Sequence, residues 1–264
     1  MPSTYAHYRF GYQLIKQLPP EIQKLINDNL ELYSIGLHGP DIYFYYNPLR
    51  SNSINQVGYS LHAIPATAFF KNSRTVIQED SQPDAALAYI LGFICHFSLD
   101  STCHPYIEER IHSSGLSHTE IEVEYDSMLM RRDGLDPVVQ PLTNHIHATM
   151  QNAKVIAKFF PVNATDTYKA LGSMIHYNDL LIAPKKTKRF LIYALLLLTG
   201  NYKEMHGLIV QPTPNPRCEE SNETLDKLYT QAMELACRLI SDYVAQIDSD
   251  KPLDSAYKHT FGAE

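Results

Sequence analysis

Apolar residues recur at spacings of three and four through Tyr5 to Leu18, Ile22 to Tyr33, Ala85 to Leu99, Ile146 to Phe160 and Leu225 to Ile247, and almost nowhere alternate with polar ones. A period of about 3.6 lines one face of an α-helix with apolar side chains, whereas a strand needs alternation. The chain is therefore expected to be all-α. In the last segment Leu225, Leu228, Tyr229, Met233, Ala236, Leu239, Ile240 and Val244 form one stripe, which packing explains without a cofactor. The punctuation agrees. Pro19 and Pro20 precede Glu21, Pro83 and Asp84 open an alanine-rich start, and Gly36 and Gly200 follow expected helix ends. The Tyr-rich stretch Ile42 to Tyr46, closed by Asn47 and Pro48, is expected to be a loop or a short extended piece.

A chain of 264 residues can bury a substantial core, and no shift in composition divides it, so a single domain over 1–264 is expected. The Pro-rich stretch Gln211 to Arg217 reads as a loop. With 22 basic against 29 acidic residues the net charge is −7, which argues against general nucleic-acid binding. Lys185, Lys186, Lys188 and Arg189 form a local basic patch, read as a solvated edge. The longest apolar run, Phe190 to Leu198, is about half of what spans a bilayer, so no transmembrane segment is expected and the run reads as a buried core helix. Met1 to Gly11 lacks the pattern of a secretory leader, which points to the cytoplasm. Cys95, Cys103, Cys218 and Cys237 show no CxxC spacing and are expected to be free thiols.

Residues four apart on a helix share a face, so a histidine followed at that spacing by an acid can grip one ion. Three such pairs occur: His96 with Asp100, His104 with Glu108, and His118 with Glu122. From 12 histidines and 29 acids over 264 positions, chance gives about 1.3 pairs, so the clustering of all three within 27 residues is the stronger signal. His96, Asp100 and His104 would sit on one face at successive turns if the helix continued, although Pro105 is expected to end or restart it. Mixed imidazole and carboxylate donors suit zinc and leave its charge partly uncancelled, and Asp100, with two oxygens between two histidines, is the natural bridge between ions. Glu108 reads as a first-turn acid rather than a ligand. His38, His112, His145, His147, His176, His206 and His259 lack an acid at this spacing and read as structural or exposed.

The stretch Ala88 to Ile107, AYILGFICHFSLDSTCHPYI, resembles the central signature of the zinc-dependent phospholipase C family. Tyr5 to Gly11 with His7 resembles that family's N-terminal histidine segment, and Gly39 to Pro48 with Asp41 its acidic-aromatic loop. Tyr59 to His62 and then Gly115 to Asp126, GLSHTEIEVEYD, follow in the family's order, so the resemblance spans roughly residues 5–126. It implies a single multi-helix bundle of the phospholipase C and zinc nuclease type, with later helices as scaffold. It also implies that Asp41, His62, His96 and Asp100 hold one zinc ion and that His104, His118 and Glu122 hold a second. Asp100 would touch a third ion together with His7.

The family completes that third site with the amine of an N-terminal tryptophan, and this chain has no tryptophan. Either Pro2 supplies an amine after removal of Met1, or the third ion is weak or absent. The gap from Asp100 to His104 is also two residues shorter than in the family's secreted toxins. The implied activity is hydrolysis of a phospholipid, or of a smaller phosphoester, by metal-activated water, with Asp41 also assisting proton removal. Two alternatives stay open: a single-strand nuclease on the same fold, and a non-catalytic helical protein that keeps its metal as a structural staple.

Overall fold

The computed structural model describes residues 4–249 and 251–262. Among these there are twelve α-helices and no strands, as the periodicity requires. In chain order they are α1 (Thr4–Ile15), α2 (Pro20–Asp28), α3 (Leu30–Gly36), α4 (Asn55–His62), α5 (Thr67–Glu79), α6 (Pro83–Ser114), α7 (His118–Arg132), α8 (Met150–Ile156), α9 (Ala164–Leu181), α10 (Lys186–Leu198), α11 (Tyr202–Met205) and α12 (Glu219–Ala245).

Helix α6 is the axis on which the rest is built. Pro83 at its first position and Asp84 in its first turn favour the start, and Gly115, left-handed at φ 68°, ends it by returning its N–H to the Ile111 carbonyl. By length and composition α6 could cross a membrane, but 89% of its most apolar window is buried inside the protein, which makes it a core helix. Helices α3 and α12 pack against it. The α12 stripe is buried as expected, with Leu225, Tyr229, Met233, Ala236, Leu239 and Ile240 turned inward.

The approach of α3 to α6 is backbone against backbone. A methyl group built on Gly92 would stand 2.2 Å from the Tyr33 carbonyl, and one on Gly36 would stand 2.2 Å from the Tyr89 carbonyl. Only glycine allows that separation. The Tyr33 hydroxyl adds a bond to the Gly11 carbonyl at 3.0 Å, which ties α1 to the same pair.

Four sequence expectations are corrected. The pattern from Ile22 to Tyr33 is two helices broken at Asn29. The stretch from Ile42 is neither loop nor strand but part of a 3-10 helix, Gly39–Tyr45, every residue of which is buried. Pro105 neither ends nor restarts α6, which runs through it to Ser114. Pro105 lies on the exposed face, so the carbonyl one turn earlier that loses its N–H partner is not trapped in the core. Finally, Phe190 to Leu198 is not buried: in α10 only Leu196 is. The four cysteines are free thiols, as expected.

The segment after α12 returns to the middle of the molecule. The Ala66 N–H donates to the His259 carbonyl at 3.0 Å, Thr67 Oγ1 donates to the Tyr257 carbonyl at 2.7 Å, and the Gly262 N–H donates to the His62 carbonyl at 3.1 Å. Phe261, fully buried, packs among Phe70, Phe93 and Phe97.

Candidate metal centre

Because α6 continues past Pro105, His96, Asp100 and His104 do stack on one face at successive turns. Helix α7 enters beside them. Its start is fixed by a capping box, in which Ser117 Oγ accepts the Glu120 N–H while Glu120 accepts the Ser117 N–H. That cap places His118 in the first turn and Glu122 one turn later on the same face, 3.0 Å apart.

The other ligand candidates arrive from elsewhere. Asp41 comes from the buried 3-10 helix, His62 from the last residue of α4, and His7 from α1. Gly39 lets that 3-10 helix close against His96 of α6. Its φ is +50°, and an added methyl group would lie 2.1 Å from the His96 ring. Helix α1 is itself anchored at the centre: the N–H groups of Tyr5 and Ala6 donate to the two oxygens of buried Asp126 at 2.9 and 2.7 Å. Burial pushes Asp126 up to about 7 while those two donors pull it down.

All eight side chains expected from the sequence converge, in three groups: Asp41 with His62 and His96, His7 with His96 and Asp100, and His104 with His118 and Glu122. Asp100 is the hub. Its Oδ1 is 3.1 Å from His7 Nε2, and its Oδ2 is 3.1 Å from His96 Nε2 and 3.5 Å from His62 Nε2. Asp41 Oδ1 stands 3.1 Å from His62 Nε2, and Glu122 Oε1 stands 3.4 Å from His104 Nε2.

These spacings fit a shared ion. Donors arranged tetrahedrally around zinc at about 2.0–2.2 Å lie about 3.3–3.6 Å from one another. The hydrogen bonding fits as well. Both oxygens of Asp41, Nε2 of His96, Oδ2 of Asp100 and Oε2 of Glu122 are buried with no hydrogen-bond partner. Two histidines are oriented from behind: Nδ1 of His62 donates to the Gly58 carbonyl at 2.8 Å and Nδ1 of His104 to the Phe261 carbonyl at 2.6 Å, which leaves each Nε2 facing inward.

The electrostatics point the same way. Burial lowers the pKa of His62, but Asp41 and Asp100 outweigh it and hold it at about 10. His104, buried between Asp100 and Glu122, stands at about 9, and His7 is raised by its bond to Asp100. Against the cost of burial, His96 and His104 keep Asp100 well below the carboxylate range, and His118 with His104 keeps Glu122 low. A pocket in which three buried carboxylates raise their histidine neighbours is one that favours added positive charge.

Three features were not read from the sequence. Asp126 lies one turn beyond Glu122 on α7, and that four-residue step was the available signal. The Phe261 carbonyl had none, being 157 residues from His104, and it gives the segment after α12 a part in the site beyond scaffold. His38 is wholly buried beside the centre, with Nε2 2.7 Å from Nε2 of His145. Burial, and then the neighbouring imidazole, holds His38 well below its usual value, and burial holds His145 at about 4, so the pair is neutral. Glu108 sits mid-helix in α6 rather than in a first turn and pairs with His112 at 3.3 Å on the surface. His147 and His206 likewise find acids, Glu31 and Glu120, each at 3.6 Å. Pro2 lies outside the described residues.

An all-helical chain that gathers five imidazoles and three carboxylates around common points has the makings of a metal-binding helical protein. The sequence profile of the zinc dependent phospholipase C family matches residues 6–177, well over half of the chain, and the protein belongs to that family. The match extends past the 5–126 over which the resemblance is visible in the sequence. Comparison with curated proteins and with solved structures gives no significant match.

Proposed function

We propose that the protein is a zinc-dependent phosphoester hydrolase of the phospholipase C type, with a phospholipid as its substrate. The observation that carries this reading is the set of buried donor atoms without a hydrogen-bond partner on Asp41, His96, Asp100 and Glu122, each of which belongs to one of the three ligand groups. Asp41, His62, His96 and Asp100 would hold one zinc ion, and His104, His118 and Glu122 a second. His7 and the remaining oxygen of Asp100 would contribute to a third. The group that contains His7 is completed only by His96 and Asp100, both already counted for the first ion, so that third position needs a further donor. Bound zinc supplies a lowered pKa for water and a positive field for phosphate oxygens.

The chain's own residues do the rest. The Asp100 carboxylate holds His62 and His96 at one oxygen and His7 at the other, and the Gly58 and Phe261 carbonyls keep His62 and His104 in the tautomer that presents Nε2. Asp41 is buried with both oxygens unpartnered, which suits it to take a proton as water attacks. His118 is the most exposed of the eight, so substrate is expected to enter at its edge.

The test is direct. Protein stripped by chelator and reloaded with zinc should release a phosphorylated head group from phosphatidylcholine, and activity should track zinc content. If the reloaded protein retains zinc yet cleaves neither phospholipid nor nucleotide nor aryl phosphodiester, the metal is a structural staple and the reading fails.

A second expectation concerns pH. His62 and His104 have folded values of about 10 and about 9, above the ordinary 6.5. In the metal-free protein their ion pairs therefore contribute stability that is fully present below 6.5 and is lost as pH rises through the two folded values. Zinc needs the same nitrogens deprotonated. The rise in Tm on adding zinc should thus grow between about pH 6 and about pH 8. Thermal unfolding with and without zinc across that range checks it, and a rise that shrinks with pH would contradict the ligand assignment.

A further inference from the structure

Helix α10 breaks the pattern of every other long helix in the protein. Phe190 is 71% and Leu198 86% exposed, and Leu191, Leu195 and Leu197 are exposed with them. At 100° per residue these five fall within an arc of about 160°, with buried Leu196 on the opposite side. Single exposed leucines are ordinary, but a continuous apolar face on one helix marks a surface that meets something other than water.

The charges around that face select its occupant. Between Asp179 and Glu204 the chain carries Lys185, Lys186, Lys188, Arg189 and Lys203 and no acid, in a protein whose net charge is −7. Four of these cations crowd the amino-terminal end of α10, where the helix dipole disfavours positive charge, and no acid offsets them in the first turn. Lys188 and Arg189 are turned back to the Ile182 and Ala183 carbonyls, while Lys185 and Lys186 stay exposed. A second copy of this helix would bring no acid to meet them.

We propose that α10 is an interfacial docking helix that lays its apolar face into the surface of a bilayer containing anionic phospholipid. The leucines and Phe190 enter the acyl boundary and the lysines meet the headgroups. The rest of the surface, being net negative, is repelled, so docking has one orientation. The chain that leaves α10 runs back to the metal centre. The segment following α10 packs on the start of α7, where Gly207 lies against Thr119 and Glu120, next to His118. The inference concerns binding alone and stands whether or not the protein hydrolyses lipid.

The chain has no tryptophan, so Leu198→Trp adds a single reporter. With the zinc-loaded full chain, its emission should shift to the blue on adding vesicles of phosphatidylcholine with phosphatidylglycerol, and brominated lipid should quench it. In flotation with the same vesicles, Leu191→Asp combined with Leu198→Asp should lower binding by about tenfold or more. Lys185→Glu with Lys186→Glu should weaken binding to these vesicles while leaving pure phosphatidylcholine little affected. Unchanged flotation of the aspartate variant, or a reporter emission that vesicles do not move, overturns the proposal. So does a dimer, seen by size exclusion, that buries the indole without lipid. Should the aspartate variant fail to fold by circular dichroism, the fluorescence result decides alone.

Discussion

Asp100→Asn is expected to leave the fold in place, release at least one zinc ion per chain, and cut phosphodiester cleavage by about 10²–10³-fold or more. The reason lies in how many partners share one carboxylate. Within 3.1 to 3.9 Å its two oxygens face nitrogens of His7, His62, His96 and His104, drawn from three helices. Asparagine keeps the shape but removes the charge and one acceptor, so His7, His62 and His96 lose the charged group they share. The metal-free protein should change in a readable way too. Without the Asp100 carboxylate, His7 loses the bond that raises it, and both His62 and His104 lose one of the two acids that raise them, so all three should titrate lower by NMR. An Asp100→Asn protein with wild-type zinc content and activity would remove the centre from its proposed role.

The second large effect is expected far from any ligand. Gly92→Ala should destabilise the protein by at least about 3 kcal/mol, lowering Tm by roughly 6–12 °C for a chain of this size. The added carbon would meet the Tyr33 carbonyl at 2.2 Å and the Gly36 Cα at 3.0 Å. Those are backbone atoms of α3, which no rotamer change can move, so α3 and α6 must separate. Gly172→Ala is the matched control: in α9 nothing lies within 4 Å of an added carbon. There the better helix propensity of alanine should stabilise by about 1 kcal/mol. Denaturant midpoints of the two variants should move in opposite directions, and a neutral Gly92→Ala would mean that the two helices do not cross backbone to backbone.

How much of this was legible in the sequence depends on the range over which each signal acts. Helices, and pairs such as His118 with Glu122, are written in a period of a few residues and could be read off directly. The joining of Asp41, His62 and His7 to that cluster is a tertiary event, and only the family resemblance pointed to it. The continuation of α6 through Pro105 depended on which face the proline occupies, and a single residue type does not report that. The apolar run of α10 misled for a related reason. Nine consecutive apolar residues have no polar side to mark the solvent, so periodicity could not say whether the helix faced the core or the outside. The Phe261 carbonyl is a backbone atom and leaves no trace in side-chain patterns.

That carbonyl also governs the order of events during synthesis. His104 acquires its partner only when Phe261 has left the ribosome, 157 positions later, and His62 receives the Gly262 N–H at the same moment. Until then a nascent chain carries its imidazoles and acids without the contact that aims His104, whereas His62 already has the Gly58 carbonyl four residues before it. An ion gripped before residue 261 has emerged would meet a site in which His104 is not yet held from behind.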